Sequence, residues 1–547
     1  MYAQHVSTKI TPQTEQAHPL QVENSAGGFS FAVDCWKRLD RFLILGAEGG
    51  TYYASERKLT KENAKCIQEC LDENPTRAIG RIVEVSTSGR APKNDPAIFA
   101  LALAAAHNNP VVRQLALSRL PGVCRTGHHI LDFVESVTHL RGFGRSLRRA
   151  VGNWYMCRSD DDLAYQMVKY QQRDGWAQRD VLRLCHPKGG DNPALRWATG
   201  KLDETLRAAR AIGHDDLVQA CSVLKLPGVI AGFERAKTDC TPELVRAFRL
   251  THEMIPTEAK NSPDIWAALL ENMPFTAMLR NLGKMTNVGL VAPLSDASRR
   301  IISQLGNTEV LKRARVHPLA ILVAMRTYAG GHGIKGNLTW NPDPRIVDAL
   351  DDAFYASFGH LESTGKNTLL ALDVSGSMGG GVIAGLPGIS PRVAAACMSM
   401  VAAKTEQNWQ IVGFTSGSGG SRWCGHNAAI SVLDISPKMR LNDVCDKINR
   451  VDFGGTDCSL PMTFCKQNKL PVDIFQIFTD NETWAGMIHP HQALKEYRQS
   501  SGRPAKLVVQ AFASNGFSIA NPLDSGMLDV VGCDTATPQI VRDFAME

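Results

Sequence analysis

Asp373, Ser375 and Ser377 stand at alternate positions in LDVSGSM, so one extended, turning loop can aim a carboxylate and two hydroxyls at a common point. Thr456 in FGGTD and Asp480 in IFTDNE add a third hydroxyl and a second carboxylate. These five oxygens form a donor set for a hard divalent cation, Mg²⁺ before Mn²⁺ or Ca²⁺. Ser375 and Ser377 can also cap a following helix, and the two roles are compatible. The parts of common enzymes are missing. The chain has no GxxxxGK[ST] phosphate loop, no GxSxG elbow and no HExxH pair, so it is read as having no catalytic residues. His128-His129 and His489-Pro-His491 lack a visible third ligand and are read as surface or packing residues. TSGSGGSR is expected to be a flexible loop rather than a phosphate cradle.

A second chemistry is carried by cations at helical spacing. Arg141, Arg145, Arg148 and Arg149 recur every three to four residues, and Arg179, Arg183 and His186 repeat the pattern further on. Between them, a helix over residues 163 to 173 would place Leu163, Met167 and Tyr170 on one face and Lys169, Gln172 and Arg173 on the other. Three neighbouring helices would then present positive charge together. Guanidinium groups can pair bidentately with phosphate, and Tyr170, Trp154 or Trp176 are candidates to stack on bases, although helical aromatics more often belong to a core. For any one of these arginines a solvated helix face is an equally good reading, so the cluster carries the argument.

The elements that must position these residues fall into two kinds. From about residue 60 to 330 the sequence reads as helices of 10 to 15 residues separated by Pro, Gly, Asn or Asp breaks, as in NDPAIFALALAAAHNNP and SPDIWAALLENMPFTAMLRNLGKM. Such pairs bury their apolar faces only by stacking, which predicts a divergent helical-repeat array. Near Gly365 the pattern changes. The apolar runs TLLAL, QIVGF, VDIFQIF and KLVVQAF alternate with helical stretches such as RVAAACMSMVAAKTEQ and MRLNDVCDKINR, predicting a doubly wound, mostly parallel α/β domain over 366–547. In such a sheet ligands bind beyond the strands' carboxyl ends, where Asp373 and Asp480 fall.

Composition bounds the partners. With 547 residues, 44% hydrophobic and 21% charged, the chain has material for several globular domains. It lacks a long uninterrupted apolar run or a signal-peptide h-region, so a soluble, cytoplasmic protein without a membrane partner is expected. Its 14 cysteines are scattered with no CxxC pair, favouring reduced thiols. From Lys366 onward there are 15 Lys+Arg against 16 Asp+Glu, leaving 45 against 38 before it; the basic excess is N-terminal, where a polyanion would bind.

Asp373-Val-Ser375-Gly-Ser377 with Thr456 and Asp480 resembles the metal-ion-dependent adhesion site of von Willebrand factor A domains. In the helical part RLDRFLILGAEGGTYY, LRGFGRSLRRAVGNWY, VKYQQRDGW, RLCHPK and EMIPTEAKNSPDIWAALLENMPFTAMLRNLGKMTNVGL resemble the TROVE module of the Ro ribonucleoprotein autoantigen family, in a bacterial or phage-type form. Together the resemblances span about residues 25 to 547 and leave 1–24 as a tail before a TROVE module over 25–365. They imply a HEAT-like helical ring followed by the α/β domain. They further imply single-stranded ends of misfolded RNA in a basic hole, Y-like noncoding RNA on the outer surface, and contacts from Lys169, Arg173 and His186. Asp373, Ser375 and Ser377 would touch the metal directly. Thr456 would join when ligand is bound and Asp480 would act through water, with one position open to a partner's carboxylate. A nuclease partner, an exoribonuclease such as polynucleotide phosphorylase, follows from the same likeness. Gly376 departs from an Ala expected in other members, loosening the loop without removing a donor. The competing reading is a metal-dependent adhesion scaffold whose basic helices bind protein. Phosphate contacts would weaken steeply with salt, whereas an apolar protein interface would not.

Overall fold

The computed structural model describes residues 10–173, 175–188, 191–359, 361–416, 429–450 and 454–547. The TSGSGGSR segment from residue 417 onward lies outside the described residues. The polar breaks between the N-terminal helices are caps. Asn74-Pro75, Asn109-Pro110, Asn192-Pro193, Ser262-Pro263 and Asp343-Pro344 each pair a side-chain acceptor with a proline in the first turn. The helices run from Cys35–Leu45 to Pro344–Ala356. None of the described helices is long and apolar enough to cross a membrane.

Residues 10 to 24, expected as a tail, are instead built into the molecule. Strand β1 (Gln21–Glu23) pairs antiparallel with β2 (Phe29–Ala32). Gln13 donates to Asp457 at 2.8 Å, and Asn24 donates to the Thr483 carbonyl at 2.7 Å. Strands this short carry too little periodicity to be read from sequence. A hairpin of β3 (Gln172–Arg173) and β4 (Trp176–Ala177) interrupts the helices.

The C-terminal sheet contains β5 (Asn367–Asp373), β6 (Asn408–Phe414), β7 (Ile430–Val432), β8 (Ile474–Thr479), β9 (Lys506–Ala511) and β11 (Met527–Val531), in the order β11-β9-β8-β5-β6-β7. All neighbours are parallel except β6 and β7. Helix Pro391–Thr405 covers one face. Between β9 and β11, β10 (Phe517–Ser518) leaves this sheet and pairs with β2. The two parts share one hydrophobic core, in which Leu39 and Ile44 of the first helix belong to the same cluster as Phe478 and Phe512.

The helical series returns on itself at a seam with the C-terminal domain. Arg315 donates to the Thr87 carbonyl at 2.8 Å, Arg90 forks onto Asp534, and His317 Nε2 meets the Cys533 carbonyl at 2.9 Å. His317 also caps its helix, its Nδ1 accepting from the Leu319 amide at 3.1 Å. Protonating Nδ1 would destroy that cap. Burial accordingly pushes the imidazole down to about 4, although the Cys533 carbonyl opposes the shift. Because the folded value lies below the unfolded one, the unfolded chain binds more protons at this site below about pH 6.5, so the contribution of His317 to stability falls as pH drops from there towards 4. The full loss from this residue is of order 3 kcal/mol. His317→Asn, which keeps a cap acceptor, should flatten the dependence of the melting midpoint on pH over this window; an unchanged slope would exclude the seam histidine as its source.

Candidate metal centre and nucleic-acid interface

Adjacent parallel strands β5 and β8 end side by side and deliver Asp373 and Asp480 to the same sheet edge. Ser375 and Ser377 follow in a tight turn entering the short helix Gly376–Gly379, and Thr456 comes from the segment before helix Leu460–Gln467. All five predicted donors are buried. The Asp373 carboxylate accepts from the Ser375 amide at 3.0 Å and from the Thr479 hydroxyl at 2.7 Å, while the Ser375 and Ser377 hydroxyls lie 3.0 Å apart. Asp480 Oδ1 accepts from the Glu482 amide at 3.0 Å. Asp480 Oδ2 and Thr456 Oγ1 are buried without a hydrogen bond to any described residue. Burial, then the charge of Asp373, pushes Asp480 up to about 7 against the pull of the Glu482 amide and the nearby Ser377 hydroxyl. Asp373 is likewise raised, first by burial.

Two functional neighbours were missed in the sequence. Arg392 donates to the Val374 and Ser375 carbonyls at 3.0 and 2.8 Å, fixing the turn that carries the hydroxyls. Glu482, two residues beyond Asp480, is fully buried with neither carboxylate oxygen hydrogen-bonded to a described residue; burial and the Asp480 charge push it up to about 8. Its place in FTDNE was the available signal. Among the described residues no group of three or more His, Cys, Asp or Glu side chains is arranged to hold a metal, so any cation here must use the hydroxyls too. Unpaired buried oxygens beside two charge-strained carboxylates fit that requirement. The helical part reaches this site. Ser377 and Asp480 share a small pocket with Gly46, Glu48 and Thr51, and Tyr53 is raised by burial and by the charges of Asp480, Glu482 and Asp373.

The basic cluster is distributed differently from the expectation. The helix read over 163 to 173 ends at Lys169, and Arg173 sits in β3 instead. Lys169 is not on an open face, since its side chain is 11% exposed, donates to the Tyr165 hydroxyl oxygen at 3.0 Å and lies 3.7 Å from Glu253. Burial pulls its ammonium down, but Tyr165, Tyr170 and Glu253 outweigh that and hold it above its ordinary value. Arg173 lies 3.5 Å from Asp132 and shares a pocket with Glu48, Glu56, Asp95 and Glu135. Apart from Tyr165, one helical turn away, these partners are remote in sequence, which is why the pattern concealed them.

The remaining arginines of the cluster are exposed. Arg145, Arg148 and Arg149 point outward from helix Arg145–Met156, which packs against helix Gln178–Cys185 carrying exposed Arg179 and Arg183. His186 terminates the latter helix in a left-handed conformation and is exposed. Arg141 ends the preceding helix and donates to the Ala106 carbonyl at 3.2 Å, so it is not on the same helix as the other three. Trp154 is core, its indole bonded to the Cys124 carbonyl, while Tyr170 and Trp176 are half-buried.

A cavity of about 740 Å³ had no sequence signal. Lys93, Lys260, Arg280, Lys284 and Lys335 line it together with His252 stacked on Trp266 and Trp340 stacked on Tyr328. Gly385 to Pro387 of the C-terminal domain close one side.

The family model described as TROVE domain matches residues 22–216 and 246–329, and that described as Ro60 vWA domain matches residues 367–545. The chain is 39% identical to "RNA-binding protein RO60" of Deinococcus radiodurans, over 98% of this chain and 97% of that protein. It is 34% identical to the protein of the same name from Caenorhabditis elegans, over 98% of this chain and 92% of that one. The crystal structure of the Deinococcus radiodurans RO (RSR) protein aligns with a TM-score of 0.66 at 38% identity, over 94% of this chain and 99% of that chain.

Proposed function

Because the chain belongs to the Ro60 family, we propose that it is a non-catalytic RNA-binding protein, the scaffold of a ribonucleoprotein in RNA quality control or processing. The observation that carries this reading is the basic cavity with its partly exposed rings, which suits an unpaired RNA end: lysines and Arg280 meet phosphate, and His252 and Trp340, each backed by a buried ring, offer faces to bases of any identity. The outer surface of Arg145, Arg148, Arg149, Arg179, Arg183 and His186 suits a structured, Y-like RNA. Arg141, Lys169 and Arg173 are secondary contacts, because Arg141 is held by a backbone carbonyl, Lys169 is 11% exposed beside Glu253, and Arg173 shares its pocket with Asp132, Glu48, Glu56, Asp95 and Glu135. A 3′-processing exoribonuclease is the partner this arrangement would serve, and the cytoplasm is its proposed compartment.

Replacing Lys260 and Lys284 by Ala should weaken a short single-stranded oligonucleotide about tenfold per lost contact. The salt slope should fall by roughly 0.7 for each contact. Reversing Arg148 and Arg183 to Glu should instead weaken a folded RNA and spare the oligonucleotide. Filter-binding titrations over a salt series decide this; equal affinities for all variants would sink the assignment.

For the C-terminal site we propose a divalent cation, Mg²⁺ first, held by Asp373, Ser375, Ser377 and Thr456, with Asp480 acting at longer range. When bound, the cation would supply a Lewis-acidic bridge to a partner's carboxylate. Arg392 orients the turn, and the Thr479 hydroxyl keeps one oxygen of Asp373 fixed.

A further inference from the structure

One lysine joins the two sites. Lys93 lines the basic cavity, and its ammonium also pairs with Glu48 at 2.8 Å and donates to the Gly385 carbonyl at 3.2 Å. Glu48 lines the small pocket that contains Ser377 and Asp480. It belongs to the loop after helix Cys35–Leu45, and this loop lies directly on residues 382 to 385 of the C-terminal domain. Gly49 and Gly385 make that approach feasible, with φ of +80° and +58°; a Cβ on Gly385 would collide with the Glu48 carboxylate.

We propose that Glu48 is a further acidic group of the cation site, neutralised by Lys93 until RNA phosphate in the cavity draws Lys93 away, so that RNA occupancy strengthens cation binding. This rests on the assignments of both sites made above. The Lys93 and Glu48 side chains are 30% and 38% exposed, so their pair is one that a phosphate can displace. Once released, Glu48 leaves a negative charge uncompensated beside Ser377 and Asp480, and the local field favours a cation. Reciprocity requires the cation to strengthen RNA binding by the same factor.

The two partners of the pair make opposite predictions. Mn²⁺ bound to the full chain is counted by electron paramagnetic resonance with and without decauridylate, and Asp373→Ala in parallel subtracts the Mn²⁺ that the RNA itself holds. The wild-type affinity for Mn²⁺ should rise about fivefold or more with RNA. Glu48→Gln should stay at the RNA-free value under both conditions. Lys93→Met should show the RNA-bound value with no RNA present. The coupling is overturned if Glu48→Gln keeps the rise, if Lys93→Met weakens Mn²⁺ binding, or if a wild-type chain that binds both ligands shows no rise. A wild-type chain that binds no Mn²⁺ or no decauridylate overturns the site assignment along with the coupling.

Discussion

Asp373→Ala is expected to abolish divalent-cation binding while RNA affinity in the absence of divalent ions stays within about twofold. Asp373 contributes a fully buried carboxylate at the end of β5, and without it the hydroxyls, with Asp480 acting only at longer range, cannot offset the dehydration of a hard cation. The basic groups proposed for RNA lie on other elements, and the C-terminal domain adds little to the positive field. Protons compete at the same site. Asp480, pushed up to about 7, must ionise for the cation to benefit from its charge, so apparent Mg²⁺ affinity should rise with pH through neutrality, by up to about tenfold per unit for each proton displaced. The stability sign is opposite without cation. A carboxyl raised above its unfolded value keeps its proton longer in the fold, so in the cation-free protein the contribution of Asp480 to stability falls as pH rises from about 4 towards 7, opposite in sign to that of His317. Mg²⁺ should restore that loss. Calorimetric titration and melting curves at several pH values test both statements; wild-type-like cation binding by Asp373→Ala would show that the site is elsewhere.

The strands that carry this site were legible because a parallel sheet covered on both faces leaves dense apolar runs, and Asp373 and Asp480 stand at the ends of two of them. The outward arginines of Arg145–Met156 were legible for the equivalent reason that helical periodicity separates wet from buried positions. Lys169 was misread because its partners Tyr165 and Glu253 are set by packing, and Glu253 is distant in the chain. Arg173 was misplaced because the helix stops before a two-residue hairpin that no periodicity announces. Arg392 reads as an ordinary polar residue near the start of a helix, yet its guanidinium donates to the Val374 and Ser375 carbonyls and fixes the turn that carries the two serine hydroxyls. The basic cavity is assembled from helices and a loop separated by hundreds of residues, so no local pattern encodes it.

Arg41→Ala should cost about 3 to 5 kcal/mol, among the largest effects of any single replacement in this chain. Its side chain is 1% exposed, and Asp529 opposite is 4% exposed. One guanidinium nitrogen forks onto both oxygens of Asp529 at 2.7 and 2.8 Å, and the other donates to the Asn515 and Phe517 carbonyls and the Asn515 side chain. Alanine would leave a buried carboxylate without its counter-charge and two backbone carbonyls without a donor. Lysine should recover only part of the loss, because a single ammonium cannot reproduce the fork. Arg41→Met combined with Asp529→Leu removes both charges and should be markedly more stable than Arg41→Ala, which separates the burial of an unpaired charge from general disruption of packing. Urea unfolding measures all three, and an Arg41→Ala loss below about 1 kcal/mol would contradict the argument. The position also bears on function. Helix Cys35–Leu45 runs directly into the loop bearing Glu48, and Phe517 sits in β10, which pairs with β2; the same arginine therefore holds the first helix, the N-terminal strands and the parallel sheet in one register. If the linkage between RNA and cation depends on that register, Arg41→Lys should keep both separate affinities near wild type while lowering the factor by which RNA raises Mn²⁺ affinity.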